Sequence, residues 1–193
     1  MALLWNEVDP FGNLRGSVSI YQGEELGLTE ADIPRDKMVD PSGIALWPEV
    51  KTRDGCRTPM VWTRDNRNGG FSEGEPWLPV PPEHLQRAVS ELEDAPDSLL
   101  NFYRRLIALR PRPPALVKGT LRFFDAGREV LAMERDYEGE RWLCVFNLSE
   151  NPAVFDLPDG LSAQAADGAL FAGRAEAGRI ALKGHDGFIG RLG

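Results

Sequence analysis

From Gly23 to about Pro82 the chain settles into no period, neither the 2 of a strand nor the 3.6 of a helix. Pro, Gly, Asp and Asn punctuate it throughout. Compact domains rarely leave so much backbone outside regular structure, and loops of this length are usually functional. The segment carries Trp47, Trp62 and Trp77, so its composition is not that of a disordered linker. It is expected to pack against something large.

What flanks this stretch is more regular. Before it, "GSVSIYQ" (16–22) places Val18, Ile20 and Tyr21 in a short β-prone run. After it, "PDSLLNFYRRLIALRP" (96–111) offers Asp97 or Ser98 as an N-cap, with Leu99, Phe102, Tyr103, Leu106 and Leu109 at helical spacing and Pro111 as the stop. A shorter helix fits "PPEHLQRAVSELE" (81–93). From residue 115 the texture changes to short apolar segments separated by Gly, Asp, Asn and Pro: "TLRFFDAG", "EVLAMERDY", "RWLCVFNLS", "PAVFDLPDG", "GRIALKG" and "DGFIGRLG". Regular short strands with turn signals predict a small antiparallel sandwich over 115–193. "MALLW" at the start reads as a helix end stopped by turn residues Asp9–Asn13.

Charge narrows the partners. The net charge is -8 with a pI near 4.9, so a phosphate backbone or an anionic membrane is repelled. Neutral substrates are not penalised. Cys56 and Cys144 match no metal or redox spacing and read as reduced, buried side chains. With no basic n-region and no long apolar core at the N-terminus, the expected compartment is the cytoplasm.

Four phrases then follow one another: "LRGSVSIYQGEELGL" (14–28), "RDGCRTPMVW" (53–62), "GFSEGEPWLPV" (70–80) and "DSLLNFYRRLIALR" (97–110). In this order they resemble the C-terminal part of bacterial α-glucosidases of the oligo-1,6-glucosidase branch of the α-amylase superfamily. The likeness runs from about residue 14 to about 148. It implies an α+β fragment: the last strand and helix of a (β/α)8 barrel with a long loop over residues 1–114, then a small antiparallel sandwich over 115–193. "SIYQGEELGL" would be the eighth strand and its exit, and 23–82 the loop over the barrel face where active sites sit.

The resemblance also says what to expect of catalysis. The family's aspartate nucleophile, glutamate acid/base and third aspartate lie upstream of the matched phrases, so no catalytic residue is assigned here. A barrel needs roughly 250 residues; the residues before the sandwich number 114. Residues 1–13, with "NEVDPFG", also depart from the family's seventh-unit helix.

Glu24 and Glu25 are adjacent carboxylates, and paired carboxylates are what glycoside hydrolysis uses. Neighbours on extended backbone point to opposite faces, however, so a structural hydrogen-bonding role is favoured. The resemblance assigns the grip on the non-reducing-end glucose to Arg57 of "RTPM", whose fork suits paired hydroxyls. The plainer reading of that phrase pairs Arg53 with Asp54 and packs Pro59, Met60 and Trp62. Trp47, Trp62 and Trp77 are read as packing anchors rather than sugar platforms. "GHDG" (184–187) superficially resembles the family's Asn-His-Asp site, but it is placed in the last sandwich strand, with Phe188 and Ile189 alternating. His84 is expected at the surface, and charges flanking the strands are read as edge protection.

The function implied is the C-terminal portion of a retaining α-glucosidase, acting on terminal α-linked glucose of oligosaccharides, inactive alone and needing no metal or organic cofactor. The alternative is a non-catalytic carbohydrate-binding or scaffolding module that completes a separately encoded barrel; a remnant without a role is the third reading. Val18, Ile20 and the face of Leu99, Phe102 and Leu106 are expected to be exposed, inviting self-association.

Overall fold

The computed structural model describes residues 16–167 and 170–193. The expectations for "MALLW" and Asp9–Asn13 lie outside the described residues. The chain divides into two compact units, Ile20–Tyr103 and Arg104–Gly193 with the N-terminal segment to Ser19. The boundary falls inside one helix.

The irregular unit holds three short helices, α1 (Pro41–Ala45), α2 (Pro82–Leu85) and α3 (Val89–Leu92), and the start of the long helix α4 (Leu99–Leu109). Its regular backbone pairing is sparse, so side chains take up the backbone groups. Buried Asp54 accepts the Val39 and Asp40 N–H groups at 2.8 and 2.9 Å. Asp40 caps α1 by accepting the Ser42 N–H. Asn101 donates to the carbonyls of Leu92, Glu93 and Ala95. Two apolar clusters complete the unit, Leu26–Met60–Val61–Ala88–Leu100 and Ala31–Ile33–Met38–Leu78.

Several local expectations are corrected here. Residues 16–22 carry no strand; the run has the side chains of a strand but no strand partner among the described residues, and a strand exists only through pairing. The helix expected over 81–93 is two turns interrupted at Gln86–Ala88, where Ala88 takes an extended ψ of 152°. The 96–111 helix forms as α4. Ser98 rather than Asp97 caps it, accepting the Asn101 N–H at 3.2 Å.

The second unit contains α5 (Pro114–Lys118) and strands β1 (Thr120–Phe124), β2 (Val130–Tyr137), β3 (Glu140–Asn147), β4 (Ala153–Asp156), β5 (Ala163–Ala165), β6 (Arg174–Glu176), β7 (Arg179–Leu182) and β8 (Gly187–Leu192). They form a five-stranded sheet in the order β1-β2-β3-β8-β5 and a three-stranded sheet in the order β4-β7-β6, all antiparallel. Alternation along β3 explains its unbroken apolar run. Leu143 and Val145 face the second sheet with Phe155, Ile180 and Leu182. Trp142, Cys144 and Phe146 face Ala115 and Leu116 of α5. A strand covered on both faces needs apolar residues at every position. Fully buried Arg135 donates to the carbonyls of Leu116 and Gly119, so a cation satisfies the end of α5.

Burial along α4 differs from the exposed face expected: Leu99, Phe102 and Leu106 are all buried, whereas Val18 and Ile20 are exposed.

Candidate functional site

The loop "YQGEELGL" folds tightly on two glycines. Gly23 (φ 92°) and Gly27 (φ 65°) take left-handed conformations on either side of a 3-10 turn, Glu24–Leu26. Glu25 Oε2 accepts the Gly23 N–H at 2.9 Å, and Leu26 is buried beneath. The two carboxylates therefore sit on a turn rather than on extended backbone. Glu25 stitches the turn and Glu24 is exposed.

The second phrase forms another 3-10 turn, Arg53–Cys56, capped by the Thr52 hydroxyl on the Asp54 N–H. Arg57 follows it, with its N–H on the Asp54 carbonyl at 2.9 Å. Arg57 is half-buried, and among the described residues no hydrogen bond or ion pair engages its guanidinium.

The Arg53–Asp54 pair expected from adjacency does not form. Arg53 instead makes a two-pronged contact with Asp40, Nε to Oδ2 at 2.9 Å and Nη2 to Oδ1 at 3.1 Å. The Arg53 hydrogen bond holds the Asp40 carboxyl well below the usual carboxylate range, against the opposing effect of burial. Asp54 turns inward to serve the backbone, which leaves its Oδ1 buried without a partner.

The two phrases, more than thirty residues apart, meet across one cleft. Tyr21, Gln22 and Glu24 line it with Gly55, Cys56 and Thr58, over a volume of about 300 Å3. Gln22 Nε2 donates to the Thr58 carbonyl at 3.2 Å. At the base lies His84, 2% exposed rather than at the surface. Its Nε2 meets the Thr29 carbonyl at 2.9 Å and its Nδ1 the Thr58 hydroxyl at 3.3 Å. A carbonyl only accepts, so Nε2 carries the hydrogen there. Arg87 Nη1 reaches the Gly27 carbonyl at 2.8 Å. His84, Arg87, Gln22 and Asp40 thus fix the site, and sequence reasoning missed all four. Only Asp40 left a local trace, since "DP" opening α1 is cap-then-proline chemistry.

The remaining candidates separate cleanly. Cys144 is buried as expected, but Cys56 is exposed at the cleft, its thiol on the Arg53 carbonyl. Trp47, Trp62 and Trp77 are 42%, 50% and 56% exposed, so they are not the packing anchors expected. His185 and Asp186 sit in the turn before β8, not in the strand. There Asp186 accepts the Ala172, Lys183 and Gly187 N–H groups, a structural clamp. Phe188 and Ile189 do alternate between the two faces. Among the described residues no group of three or more His, Cys, Asp or Glu is placed to hold a metal ion, and no helix is long and apolar enough to cross a membrane.

Residues 11–119 match the alpha amylase catalytic domain, and residues 121–186 the maltogenic amylase C-terminal domain. A probable alpha-glucosidase of Rhizobium meliloti is 47% identical over 76% of this chain and 26% of its own length. An oligo-1,6-glucosidase of Parageobacillus thermoglucosidasius is 32% identical over 76% of the chain and 29% of its length. Among solved structures, the alpha-glucosyl transfer enzyme XgtA superposes with a TM-score of 0.89 at 40% identity, over 98% of this chain and 35% of its own. The trehalulose synthase MutB of Pseudomonas mesoacidophila gives 0.83 at 28% identity, over 100% and 38%. The chain spans between a quarter and two fifths of the length of these relatives. It belongs to the α-amylase family, and over about a quarter to a third of their length it is similar to relatives named alpha-glucosidase and oligo-1,6-glucosidase.

Proposed function

We propose that this chain serves as the C-terminal portion of a retaining α-glucosidase that releases terminal α-linked glucose from oligosaccharides in the cytoplasm. Residues 1–114 would close the barrel and 115–193 form the sandwich that follows it. In this reading Arg57 grips the sugar hydroxyls at the non-reducing end. The observation that supports it is the phrase "RTPM" itself, with Arg57 half-buried and its flanking residues Cys56 and Thr58, though not Arg57, lining the cleft. His84 and Gln22 act on its neighbour Thr58, so the guanidinium is positioned from a fixed backbone.

In this reading the family's three catalytic carboxylates lie upstream of the phrases that carry the resemblance. Glu24 is exposed and Glu25 is committed to its own turn, so neither replaces them. The chain alone is therefore expected to leave a chromogenic α-glucoside intact. Steady hydrolysis by the purified chain, surviving Glu24→Gln and Glu25→Gln together, would overturn this. Arg57→Ala should abolish any heat of maltose or isomaltose binding.

A second reading rests on Val18 and Ile20, which are 37% and 42% exposed. An apolar run with no strand partner among the described residues suits a module that completes a separately encoded barrel. Mixing the chain with the N-terminal portion of a related enzyme should then restore activity, and failure to associate would count against it.

A further inference from the structure

Asn68 is the one asparagine in the chain that is followed by glycine. Such a pair is chemically labile, because glycine has no side chain to shield its backbone nitrogen from the carboxamide beside it. We infer that Asn68–Gly69 is a self-modification site: closed in the folded chain, it reacts when the 66–74 loop opens, and its product keeps the loop from closing again.

The step takes only water from outside the chain. The Gly69 nitrogen gives up its proton and bonds to Asn68 Cγ. The Cγ–Nδ2 bond breaks, and the amide nitrogen leaves with that proton as ammonia. Water then opens the cyclic imide at either of its carbonyls. One opening leaves aspartate at position 68; the other leaves isoaspartate, with the main chain running through the former side chain. No electron is gained or lost.

The fold withholds both reacting groups. The Gly69 N–H donates to the Asn66 carbonyl at 3.1 Å, and Gly69 is buried. The Asn68 carboxamide donates to the Ser72 and Gly74 carbonyls at 2.8 and 2.7 Å. Closing the imide ring gives up all three hydrogen bonds. The surrounding backbone is pinned as well. Phe71 N–H donates to the Asn68 carbonyl at 3.1 Å, and the Gly69 carbonyl accepts the Trp62 and Thr63 N–H groups at 2.8 and 3.0 Å.

The loop also cannot shed its labile pair. Asn68, Gly69 and Gly70 take φ values of 52°, 64° and 74°, a left-handed run that Asn and Gly tolerate best. A Cβ on Gly69 would lie 3.0 Å from Val61 Cγ1. The residues that let the loop form are those that let it react.

Neither product fits the closed loop. Aspartate has no N–H to give, so its carboxylate faces the Ser72 and Gly74 carbonyls, acceptor against acceptor. Isoaspartate adds a carbon to the main chain and displaces the Gly69 carbonyl that holds Trp62 and Thr63. The modification therefore runs one way, and it loosens the segment that follows "RTPM".

The test is peptide mapping of the whole chain after incubation at mildly alkaline pH, folded in one sample and unfolded in urea in the other. Mass spectrometry reads aspartate and isoaspartate at each asparagine. In urea, Asn68 should convert faster than the chain's other asparagines, and Gly69→Ala, which needs no fold there, should slow it severalfold. In the folded chain, conversion at Asn68 should run at least about tenfold slower than in urea. In folded Asn68→Asp, the Gly69, Trp62 and Thr63 amide hydrogens should exchange about tenfold faster than in the parent chain. Equal conversion rates in the folded and urea samples would overturn the inference. So would an Asn68 that stays intact in urea, or amide exchange left unchanged by Asn68→Asp.

Discussion

His84→Ala should unfasten the turn that carries Arg57, and the size of the effect follows from the two partners of the ring. Thr29 lies at the surface, so its carbonyl can rehydrate once the imidazole is gone. Thr58 is only 4% exposed, and its hydroxyl would lose the one side-chain partner described for it. An orphaned buried polar group costs about 1–3 kcal/mol. The void left by a ring that is 2% exposed adds roughly 1–2 kcal/mol, less than a Leu→Ala cavity because imidazole gains less from burial. The sum is about 3 kcal/mol, a large share of the roughly 5–15 kcal/mol that holds a domain folded. Urea unfolding should show a lower midpoint at unchanged slope. Thr58→Val removes the orphan, so in the His84→Ala background it should restore about 1 kcal/mol instead of costing more. A loss below about 1 kcal/mol in His84→Ala, or simple additivity in the double variant, would refute the reasoning.

Other sites give sharp expectations. Asp40 has a depressed carboxyl in the folded chain, so the unfolded chain binds more protons and stability falls as pH drops below about 4. Asp40→Asn should flatten that acid limb in pH-dependent unfolding curves. Glu134 adds to the same limb: burial pushes its carboxyl up, but the hydrogen bonds and charges of Arg141 and Arg122 outweigh it and the net direction is down. Asn147 is fully buried and donates to the Asn151 and Lys183 carbonyls at 2.6 and 2.8 Å. Asn147→Asp keeps the shape but sets acceptor against acceptor, and should cost about 3 kcal/mol or more in thermal or urea unfolding. At Gly184 an added Cβ would lie 1.9 Å from the Glu150 carbonyl oxygen, so Gly184→Ala should lower the melting temperature of the sandwich.

Parts of the molecule were legible from sequence because the forces that shape them act over short separations. The 3.6 spacing of Leu99, Phe102, Leu106 and Leu109 predicts α4, and the short apolar segment "RWLCVFNLS" predicts a strand, which forms as β3. The alternation of Phe188 and Ile189 survives intact in β8. The run Val18–Tyr21 misled for the same reason. It has strand propensity, and propensity without a partner forms no strand.

The sequence by itself determined the family and the fold class, a long irregular stretch followed by an antiparallel sandwich. Only the tertiary structure decided who holds whom. Arg53 passes over adjacent Asp54 to pair with Asp40, thirteen positions away. His84 leaves the surface to join Thr29 and Thr58 across 55 and 26 positions. Trp77 is displayed rather than packed. The reason is common to all three. Local pattern fixes backbone shape, but the partner of a polar or aromatic side chain depends on which distant segments the fold brings beside it, and no period in the sequence records that.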